Sequence, residues 1–399
     1  MEGAVVGARA SAGAGAGVGA EAGAMVGVRC DVTARGGAGH LVRCVALAEE
    51  LTGRGVEVLF LGDLSGSAWA CAQLTARGLP LLAAPRDPAG LARLAVELRL
   101  GAMVLDSYEL PPGTGATLRA AGVPVLAIVD GDPLGQSADL YLDQNLDAEL
   151  TPWPHGGERL AGLQYVLLRD AVLRLGGRAR PDTATSRPEL AAVPCPTAAA
   201  GPTGGLRSLG AAVSGESAAG LRSVGAVGSG EVTGGSRSCA GVARVLCFFG
   251  GTDSAGVAPR WAEALRRTGV PFQATVVSPE PFDAPDGVAV VPPTDRLPEL
   301  MIDADLVVTA AGSAVWELLH LGVPAALTWV APNQLIGYRA LVGRGAAAGL
   351  GREPGEAAVG ALTRLLADPA ARDDLARRGS GLVDGRGRER VADALLALL

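Results

Sequence analysis

The sequence predicts an α/β protein made of two domains, each built on a doubly wound parallel sheet, that face each other across a cleft. Short apolar segments rich in β-branched residues alternate with segments of helical periodicity, which is typical of parallel sheets covered by helices. The chain has 399 residues, enough to form two hydrophobic cores. A segment without hydrophobic periodicity, residues 180–241, separates the two alternating halves. We therefore expect one domain on each side of it.

The composition is that of a globular, acidic protein. Hydrophobic residues make up 49% of the chain, and the formal net charge of −7 argues against a nucleic-acid-binding surface. Six cysteines occur without a C-x-x-C pair, which fits neither a metal site nor a disulfide framework and favours the reducing cytoplasm. No apolar run approaches the roughly 18 residues that span a bilayer, so we expect no stable membrane insertion.

Two low-complexity regions flank the predicted first domain. Residues 1–24 alternate alanine and glycine without the basic start and apolar core of a signal peptide, and we expect a disordered tail. Residues 180–241 consist mostly of Gly, Ala, Ser, Pro, Thr and Arg, and we expect a flexible linker. The predicted domains are then residues 25–179 and 242–399.

The elements of both domains are predicted from the alternation of apolar runs with amphipathic stretches. The strands of the first domain are expected at residues 25–31, 57–61, 79–83, 102–106 and 125–130. Those of the second domain are expected at residues 242–249, 274–277, 288–291, 305–311 and 325–330. Helices are expected at residues 40–51, between the later strands of the first domain, at residues 257–267, after Ser313, and at residues 356–366, 370–378 and 388–398.

The strand and helix around residues 305–322 are the most informative stretch of the chain. Gly312 and Ser313 break a β-branched strand just before a helix, with Ser313 as the candidate N-cap. The free N–H groups of the first helical turn, together with the helix dipole, suit a phosphate. Glu317 lies one turn further on the same face and can accept two hydrogen bonds from a ribose diol. Taken alone, the same turn is also compatible with plain packing.

Two further loops of the second domain are expected to bind the same ligand. Asn333 and Gln334 follow the strand at residues 325–330, and open parallel sheets bind ligands at the carboxyl ends of their strands. The loop after the domain's first strand offers backbone N–H groups suited to a phosphate or to the edge of a nucleobase. That loop consists of Gly250, Gly251, Thr252 and Asp253.

The first domain contributes a glycine-rich turn followed by a histidine. Gly37 and Gly39 precede His40 at the start of the first predicted helix. The positive end of the helix dipole favours the neutral imidazole ring, which can accept a proton. Arg43, one turn further, is placed to position the loop or to bind an acidic group. Alternatively, His40 caps its own loop, and the residues alone leave both interpretations open.

Asp106 and Tyr108 end a buried strand at the same edge of the predicted sheet. A tyrosine there can hold a sugar hydroxyl or orient a water molecule, and it can equally be an aromatic residue of an interface. Both interpretations of Tyr108 stay open.

These motifs resemble those of known families. The pairs Gly312-Ser313, Trp316-Glu317, Gly322-x-Pro324 and Asn333-Gln334 resemble the nucleotide-sugar site of glycosyltransferases with the GT-B fold, in which two Rossmann-like domains face a cleft. The Trp-Glu and Asn-Gln pairs, together with Gly-x-Gly-His-x-x-Arg from Gly37 to Arg43, resemble more narrowly the PseG/SpsG family. That family comprises the UDP-sugar hydrolases of pseudaminic acid biosynthesis and their spore-coat polysaccharide relatives. The resemblance covers residues 25–169 and 242–399, and the long linker departs from the family.

The resemblance implies a role for several of these residues. His40 would be the catalytic acid/base, with Tyr108 and Asp106 near the sugar. A helix dipole, and not a metal ion, would stabilise the diphosphate. The D-x-D spacing of Asp130 and Asp132 is therefore not expected to hold a cation. The segments Asp143-Gln144-Asn145 and Leu167-Leu168-Arg169 are also similar to the family, and we expect them to be structural.

The resulting functional hypothesis is an enzyme that cleaves a UDP-linked amino-deoxy sugar with inversion, using water activated by His40. A second hypothesis is a glycosyltransferase, in which an alcohol takes the place of water. A third is a nucleotide-sugar-binding protein without catalysis. The expected partner is a small-molecule nucleotide sugar. We expect no cofactor, no metal and no nucleic acid, and we expect a cytoplasmic monomer.

Overall fold

The computed structural model describes residues 25–32, 39–64, 67–176, 242–251 and 253–399. The predicted tail at residues 1–24 and the predicted linker at residues 180–241 lie outside the described residues. Gly37 and Thr252 lie outside them as well.

The first domain forms a parallel sheet of seven strands within the described residues. They are β1 (Met25–Cys30), β2 (Glu57–Leu61), β3 (Leu81–Leu82), β4 (Ala102–Asp106), β5 (Val125–Ile128), β6 (Leu140–Asp143) and β7 (Glu158–Ala161). Their order is β3-β2-β1-β4-β5-β6-β7, and every pair is parallel. The winding reverses between β1 and β4, which is the position where such sheets bind ligands.

Helices cover both faces of this sheet. They are α1 (Gly39–Gly53), α2 (Ala68–Ala76), α3 (Pro88–Glu97) and α4 (Thr114–Ala120). Short 3₁₀ turns follow at Ala148–Leu150 and Leu163–Tyr165. Successive residues of a strand point to opposite faces, so Val104 packs in the same cluster as α1, whereas Met103 packs in the same cluster as α3 and α4. Both faces are therefore buried, as parallel sheets require.

The second domain repeats the architecture with a parallel sheet of six strands among the described residues. They are β8 (Ala243–Phe248), β9 (Phe272–Val277), β10 (Val288–Val291), β11 (Leu306–Ala310), β12 (Ala325–Thr328) and β13 (Ala348–Gly351), in the order β10-β9-β8-β11-β12-β13. Its helices are α6 (Ala258–Arg267), α7 (Leu297–Asp303), α8 (Ala314–Leu321), α9 (Gln334–Gly343), α10 (Glu356–Ala367) and α11 (Pro369–Gly379). The predicted fold class of two doubly wound parallel-sheet domains is confirmed.

Two helices are exchanged between the domains. Val172 and Leu175 of α5 (Asp170–Leu175) are buried in the core of the second domain. Conversely, Val391 and Leu395 of α12 (Gly387–Leu396) are buried against α1 in the core of the first domain. The sequence-based division at residues 179 and 242 assigned each helix to the other domain. It did so because helical periodicity reveals a buried face without revealing which sheet covers it.

No helix in the described part of the chain combines the length and the apolar character needed to cross a membrane.

Candidate active site

A cavity of about 340 Å³ lies at the carboxyl ends of the strands, with residues of both domains in its walls. The first domain contributes the start of α1 and the loops after β4, β5 and β6. The second contributes the loops after β8, β11 and β12. The lining residues that the sequence analysis had selected are Gly39, His40, Arg43, Tyr108, Gly250, Gly251, Gly312, Ser313, Glu317, Asn333 and Gln334. Predicted residues from both domains are thus brought together in one ligand-sized space.

The two domains approach closely at the mouth of this cavity. A Cβ atom added to Gly39 would lie 3.1 Å from Ser313 Oγ of the opposite domain. Nearby, the side-chain amide of Asn333 donates a hydrogen bond of 3.2 Å to the hydroxyl of Tyr108. Because glycine has no side chain, the two domains can approach this closely at position 39, and a side chain there would push them apart.

His40 rests on a buried carboxylate. Its Nδ1 atom lies 2.5 Å from Oδ1 of Asp106, whose side chain has no exposed surface. Arg43, one helical turn after His40, donates to both oxygens of the same carboxylate at 2.7 and 2.6 Å. Burial by itself would raise the pKa of Asp106, but the charges and hydrogen bonds of Arg43 and His40 hold that pKa well below its usual range.

This geometry decides which nitrogen of His40 carries the proton. Because Asp106 is ionised, it only accepts hydrogen bonds, so the Nδ1–H group of the ring must be the donor. Arg43 Nη2 lies 3.2 Å from the same nitrogen, but a guanidinium only donates and cannot reverse the assignment. In the neutral ring, Nε2 then has a free lone pair, as a general base requires. Asp106 does not line the cavity, because its carboxylate lies beneath His40, and its predicted contact with the substrate stays a prediction.

A second carboxylate, Asp130, fixes Tyr108. It accepts hydrogen bonds from Arg43 at 3.2 and 3.3 Å, from the Asn145 amide at 3.0 Å, and from the Tyr108 hydroxyl. Burial and the charge of Asp130 raise the pKa of Tyr108, so the phenol stays protonated at neutral pH. Its ring meets the imidazole of His40 edge-on, with 4.6 Å between the ring centroids. Tyr108 therefore forms a fixed wall beside His40, with its hydroxyl bonded to groups of both domains.

Sequence reasoning missed Asp130 and Asn145 as parts of this site. Asp130 was considered only for its D-x-D spacing, but the positive charge beside it belongs to Arg43. Burial would raise the pKa of Asp130, whereas Arg43 and the hydrogen bonds of Tyr108 and Asn145 lower it. Only their position in the sequence could have indicated that Asp130 and Asn145 belong to the site, because both follow strands and so lie at the carboxyl edge of the sheet.

The second domain contains groups that are suited to bind an anion. Gly250 has φ +84°, a left-handed conformation that favours glycine, and it lines the cavity with Gly251. Ser313 occupies the N-cap position of α8 without making a capping hydrogen bond through its side chain. Its hydroxyl is therefore available to a ligand in the cavity, whereas the N–H groups of Val315 and Trp316 in the first turn of α8 already donate to the carbonyl oxygens of Gly312 and Ser313 at 3.1 Å each.

Two predicted residues of this domain have structural roles. Asp253 accepts hydrogen bonds from the N–H groups of Val257 and Ala258 at 3.1 and 3.0 Å, which caps α6, and it does not line the cavity. Its predicted contact with the nucleotide stays a prediction. Gln334 lines the cavity, but its side-chain oxygen accepts from the backbone of Val330 at 2.8 Å and shapes the loop after β12.

Glu317 is already paired. Arg169 donates from Nε and Nη2 to the two oxygens of Glu317 at 2.9 Å each, and the side chains are 5% and 3% exposed. Both residues line the cavity. The predicted ribose acceptor is thus part of a buried ion pair between the domains, and Arg169, expected to be structural, belongs to the site. No pattern in the sequence links residues 148 positions apart.

Comparisons with known proteins identify the fold. No family model matches the chain, and no curated protein matches it in sequence. Among solved structures, MurG of Acinetobacter baumannii is similar with a TM-score of 0.57 and 14% identity, covering 93% of this chain and 99% of MurG. The spinosyn rhamnosyltransferase SpnG complexed with thymidine diphosphate has a TM-score of 0.55 and 17% identity, covering 94% of this chain and 99% of its own. The calicheamicin glycosyltransferase CalG4 has a TM-score of 0.53 and 14% identity, with 94% and 98% coverage. The chain therefore has the GT-B fold.

Proposed function

We propose that the protein is a glycosyltransferase that moves a sugar from a nucleoside diphosphate to an acceptor hydroxyl, with His40 as the general base. The observation that carries this proposal is the hydrogen bond from His40 Nδ1 to the buried Asp106 carboxylate. It fixes the tautomer and the orientation of the ring in the wall of a ligand-sized cavity of about 340 Å³.

The proposed reaction is a single displacement. His40 Nε2 takes the proton of the acceptor hydroxyl, the acceptor oxygen bonds to the anomeric carbon, and the bond from that carbon to the diphosphate breaks. The electron pair leaves with the nucleoside diphosphate, whose phosphates are held by the glycines at 250 and 251 and the start of α8. As the glycosidic bond forms and the proton moves to His40, Asp106 stabilises the imidazolium that results.

A transferase is favoured over the other hypotheses by the fold neighbours. SpnG and CalG4 are both described as glycosyltransferases, and the SpnG structure is a complex with thymidine diphosphate. The second candidate function is hydrolysis of the same donor, which the Gly-x-Gly-His-x-x-Arg motif ending at Arg43 favours through its resemblance to UDP-sugar hydrolases. The two functions share the base and differ only in whether an alcohol or water attacks.

An assay of nucleotide release separates the two candidates. The protein is incubated with UDP- and dTDP-sugars, with and without a panel of sugar and polyketide alcohols, and the free nucleoside diphosphate is measured. A transferase releases it substantially only when an acceptor is present, whereas a hydrolase releases it at full rate in water alone. In both cases proton NMR should detect a product of inverted anomeric configuration. Retention, or no turnover of any donor, would overturn the proposed reaction.

A further inference from the structure

We propose that the acceptor is a neutral alcohol with an apolar body, bound at the mouth of the cavity by Tyr108, Leu134 and Ile336. This inference rests on the proposed function, since it names the class of acceptor that the transferase would use. It begins from the exposure of the three residues, which are 43%, 45% and 50% exposed. Large apolar side chains that cluster in water beside a cavity are typical of a surface that binds a ligand.

The three side chains lie together where the two domains meet. Tyr108 and Leu134 line one small cleft of about 20 Å³, between the loops that follow β4 and β5. Ile336, in the first turn of α9, approaches the same loop from the second domain, and its Cδ1 atom would lie 3.7 Å from a Cβ atom added to Gly131. Tyr108, Leu134 and Ile336 therefore form one apolar rim to which both domains contribute.

The apolar rim is continuous with the position of the base. Tyr108 lines both the small cleft and the main cavity, and its ring meets the imidazole of His40 edge-on at 4.6 Å. An acceptor hydroxyl at His40 thus has the Tyr108 ring beside it, and the body attached to that hydroxyl can extend along this ring onto Leu134 and Ile336. Covering the three side chains removes apolar surface from water, which favours binding.

Leu134 is held outward by a turn that disfavours leucine. The turn at residues 133–136 is closed by a hydrogen bond of 2.9 Å from the Gln136 N–H group to the Pro133 carbonyl, and its central residues Leu134 and Gly135 have φ of +51° and +77°. Positive φ at both central positions is typical of type I′ turns, which prefer Asn, Asp or Gly. A leucine that is both exposed and strained is unfavourable for folding, so its presence favours a role in binding.

The charge beside the rim indicates that the acceptor is not an anion. Asp132 is exposed, lines the small cleft, and accepts a hydrogen bond of 2.7 Å from the Leu134 N–H group through its carboxylate. A negative charge at this point repels a phosphate or carboxylate on the acceptor, and it also repels an anionic membrane surface. A neutral alcohol that is free in solution experiences neither repulsion.

A comparison of acceptors tests the proposed class. The wild-type protein is incubated with UDP- and dTDP-sugars and with two panels of neutral alcohols, namely geraniol, testosterone and macrolide aglycones against glucose, N-acetylglucosamine and glycerol. The highest kcat/KM of the apolar panel should exceed that of the polar panel at least about tenfold. A preference for the polar panel overturns the inference and leaves the transferase intact. Donor turnover that no alcohol accelerates overturns the proposed transferase itself.

Leu134→Asn tests the apolar rim while keeping the turn, because type I′ turns prefer asparagine at this position. The variant should unfold at the wild-type temperature or above it, whereas the KM of the best apolar acceptor should rise about tenfold through the loss of apolar contact area. Ile336→Gln, on a different element, should raise the same KM by a similar factor. The KM of the nucleotide sugar should stay within about twofold in both variants.

Leu150→Asn is the matched control, because this leucine is exposed but lines neither the main cavity nor the small cleft. It should leave the KM of the acceptor unchanged. A wild-type acceptor KM in folded Leu134→Asn and Ile336→Gln overturns the inference. Cosedimentation with zwitterionic and anionic phospholipid vesicles should leave the wild-type protein in the supernatant, and vesicle binding that Leu134→Asn abolishes would assign the rim to a membrane surface and overturn the free alcohol.

Discussion

At the scale of single residues, the site is organised by two carboxylates, one buried and one half-buried, that share one arginine. Asp106 orients His40, Asp130 orients Tyr108, and Arg43 donates to both. The arrangement places a positive charge between two negative ones, which offsets much of the cost of burying all three. The reactive ring is therefore oriented by Asp106, which lies beneath it and does not line the cavity, whereas Arg43 and Asp130 do line it.

His40→Ala tests the role of the base. The variant should fold and bind UDP normally, because the proposed nucleotide site belongs to the other domain, while turnover falls by about 10²- to 10⁴-fold. Steady-state kinetics and calorimetry with UDP measure the two quantities. His155→Ala, at an exposed position that does not line the cavity, is the matched control and should retain full activity. Full activity in His40→Ala would remove the ring from the mechanism.

Asp106→Asn tests how much the ionised carboxylate of Asp106 contributes to the free energy of unfolding. Because the folded-state pKa of Asp106 is depressed, its contribution is fully present above the ordinary aspartate pKa of about 3.9 and is lost as the pH falls below it. At pH 7 the variant should be destabilised by about 3 kcal/mol, since it leaves Arg43 partly unpaired. Urea unfolding at pH 7, 5, 4 and 3 measures this difference, which should shrink in acid.

The control for this measurement is Asp147→Asn, which removes a surface ion pair with Arg344. Its effect at pH 7 should be smaller, because exposed pairs are screened by solvent. A destabilisation of Asp106→Asn that stays constant down to pH 3 would contradict the ionised state assigned to Asp106.

At the scale of elements, the sequence predicted best what is local. The strands at 57–61, 102–106 and 288–291 lie where the β-branched runs placed them, because each is a continuous apolar segment between turns. The short strands β6, β7 and β13 were missed: β7 begins with two charged residues, and β13 is Ala-Gly-Leu-Gly. The strand expected at 79–83 is reduced to two residues, both exposed at the sheet edge.

The same limit applies to the candidate site. Motifs on single loops could be located, and most of them lie around one cavity. Contacts between distant segments could not be located from the sequence. Examples are the hydrogen bonds of Asp106 with His40, of Asn333 with Tyr108, and of Arg169 with Glu317. Asp253 shows a second limit, because the sequence of a glycine-rich turn does not distinguish a carboxylate that caps a helix, as Asp253 does, from one that binds a ligand.

The exchange of α12 predicts a long-range effect on stability. Leu395 is fully buried in the core of the first domain, so Leu395→Ala should cost about 2–5 kcal/mol although it lies four residues from the end of the chain. Hydrogen exchange should accelerate in α1 more than in α8. The control Leu150→Ala, at a side chain that is 73% exposed in the first domain, should change stability by about 0.5 kcal/mol or less. Faster exchange confined to the second domain would contradict the exchange of helices.

At the scale of the whole molecule, two groups of contacts between the domains stand beside surface contacts such as those of Arg344 with Asp147 and of Gln73 with Asp295. Near the crossover helices, Arg388 of α12 contacts Glu49 and Glu50 of α1 and also Asp170 of α5. At the cavity, Asn333 contacts Tyr108, and Arg169 contacts Glu317. The helix α1 takes part in both groups, since it carries His40 at its start and the two glutamates near its end. Contacts at both ends of α1 therefore determine where His40 lies relative to the second domain.

Gly39 tests whether that position matters for turnover. A β-carbon at residue 39 meets Ser313 Oγ at 3.1 Å, a distance that a small shift relieves, whereas the branched side chain of valine demands a wider separation of the domains. Gly39→Ala should therefore reduce turnover modestly, and Gly39→Val by about 10²-fold, as expected for a displacement of roughly 1 Å between base and donor. The affinity for UDP should stay within about twofold in both, because the proposed nucleotide contacts lie in the second domain. Gly53→Ala, at the other end of α1 with no atom within 4 Å of its added Cβ, is the matched control and should leave turnover unchanged. If Gly39→Val retains wild-type turnover, the close approach of α1 to α8 is not required for catalysis, and the base must act from a more open arrangement of the two domains.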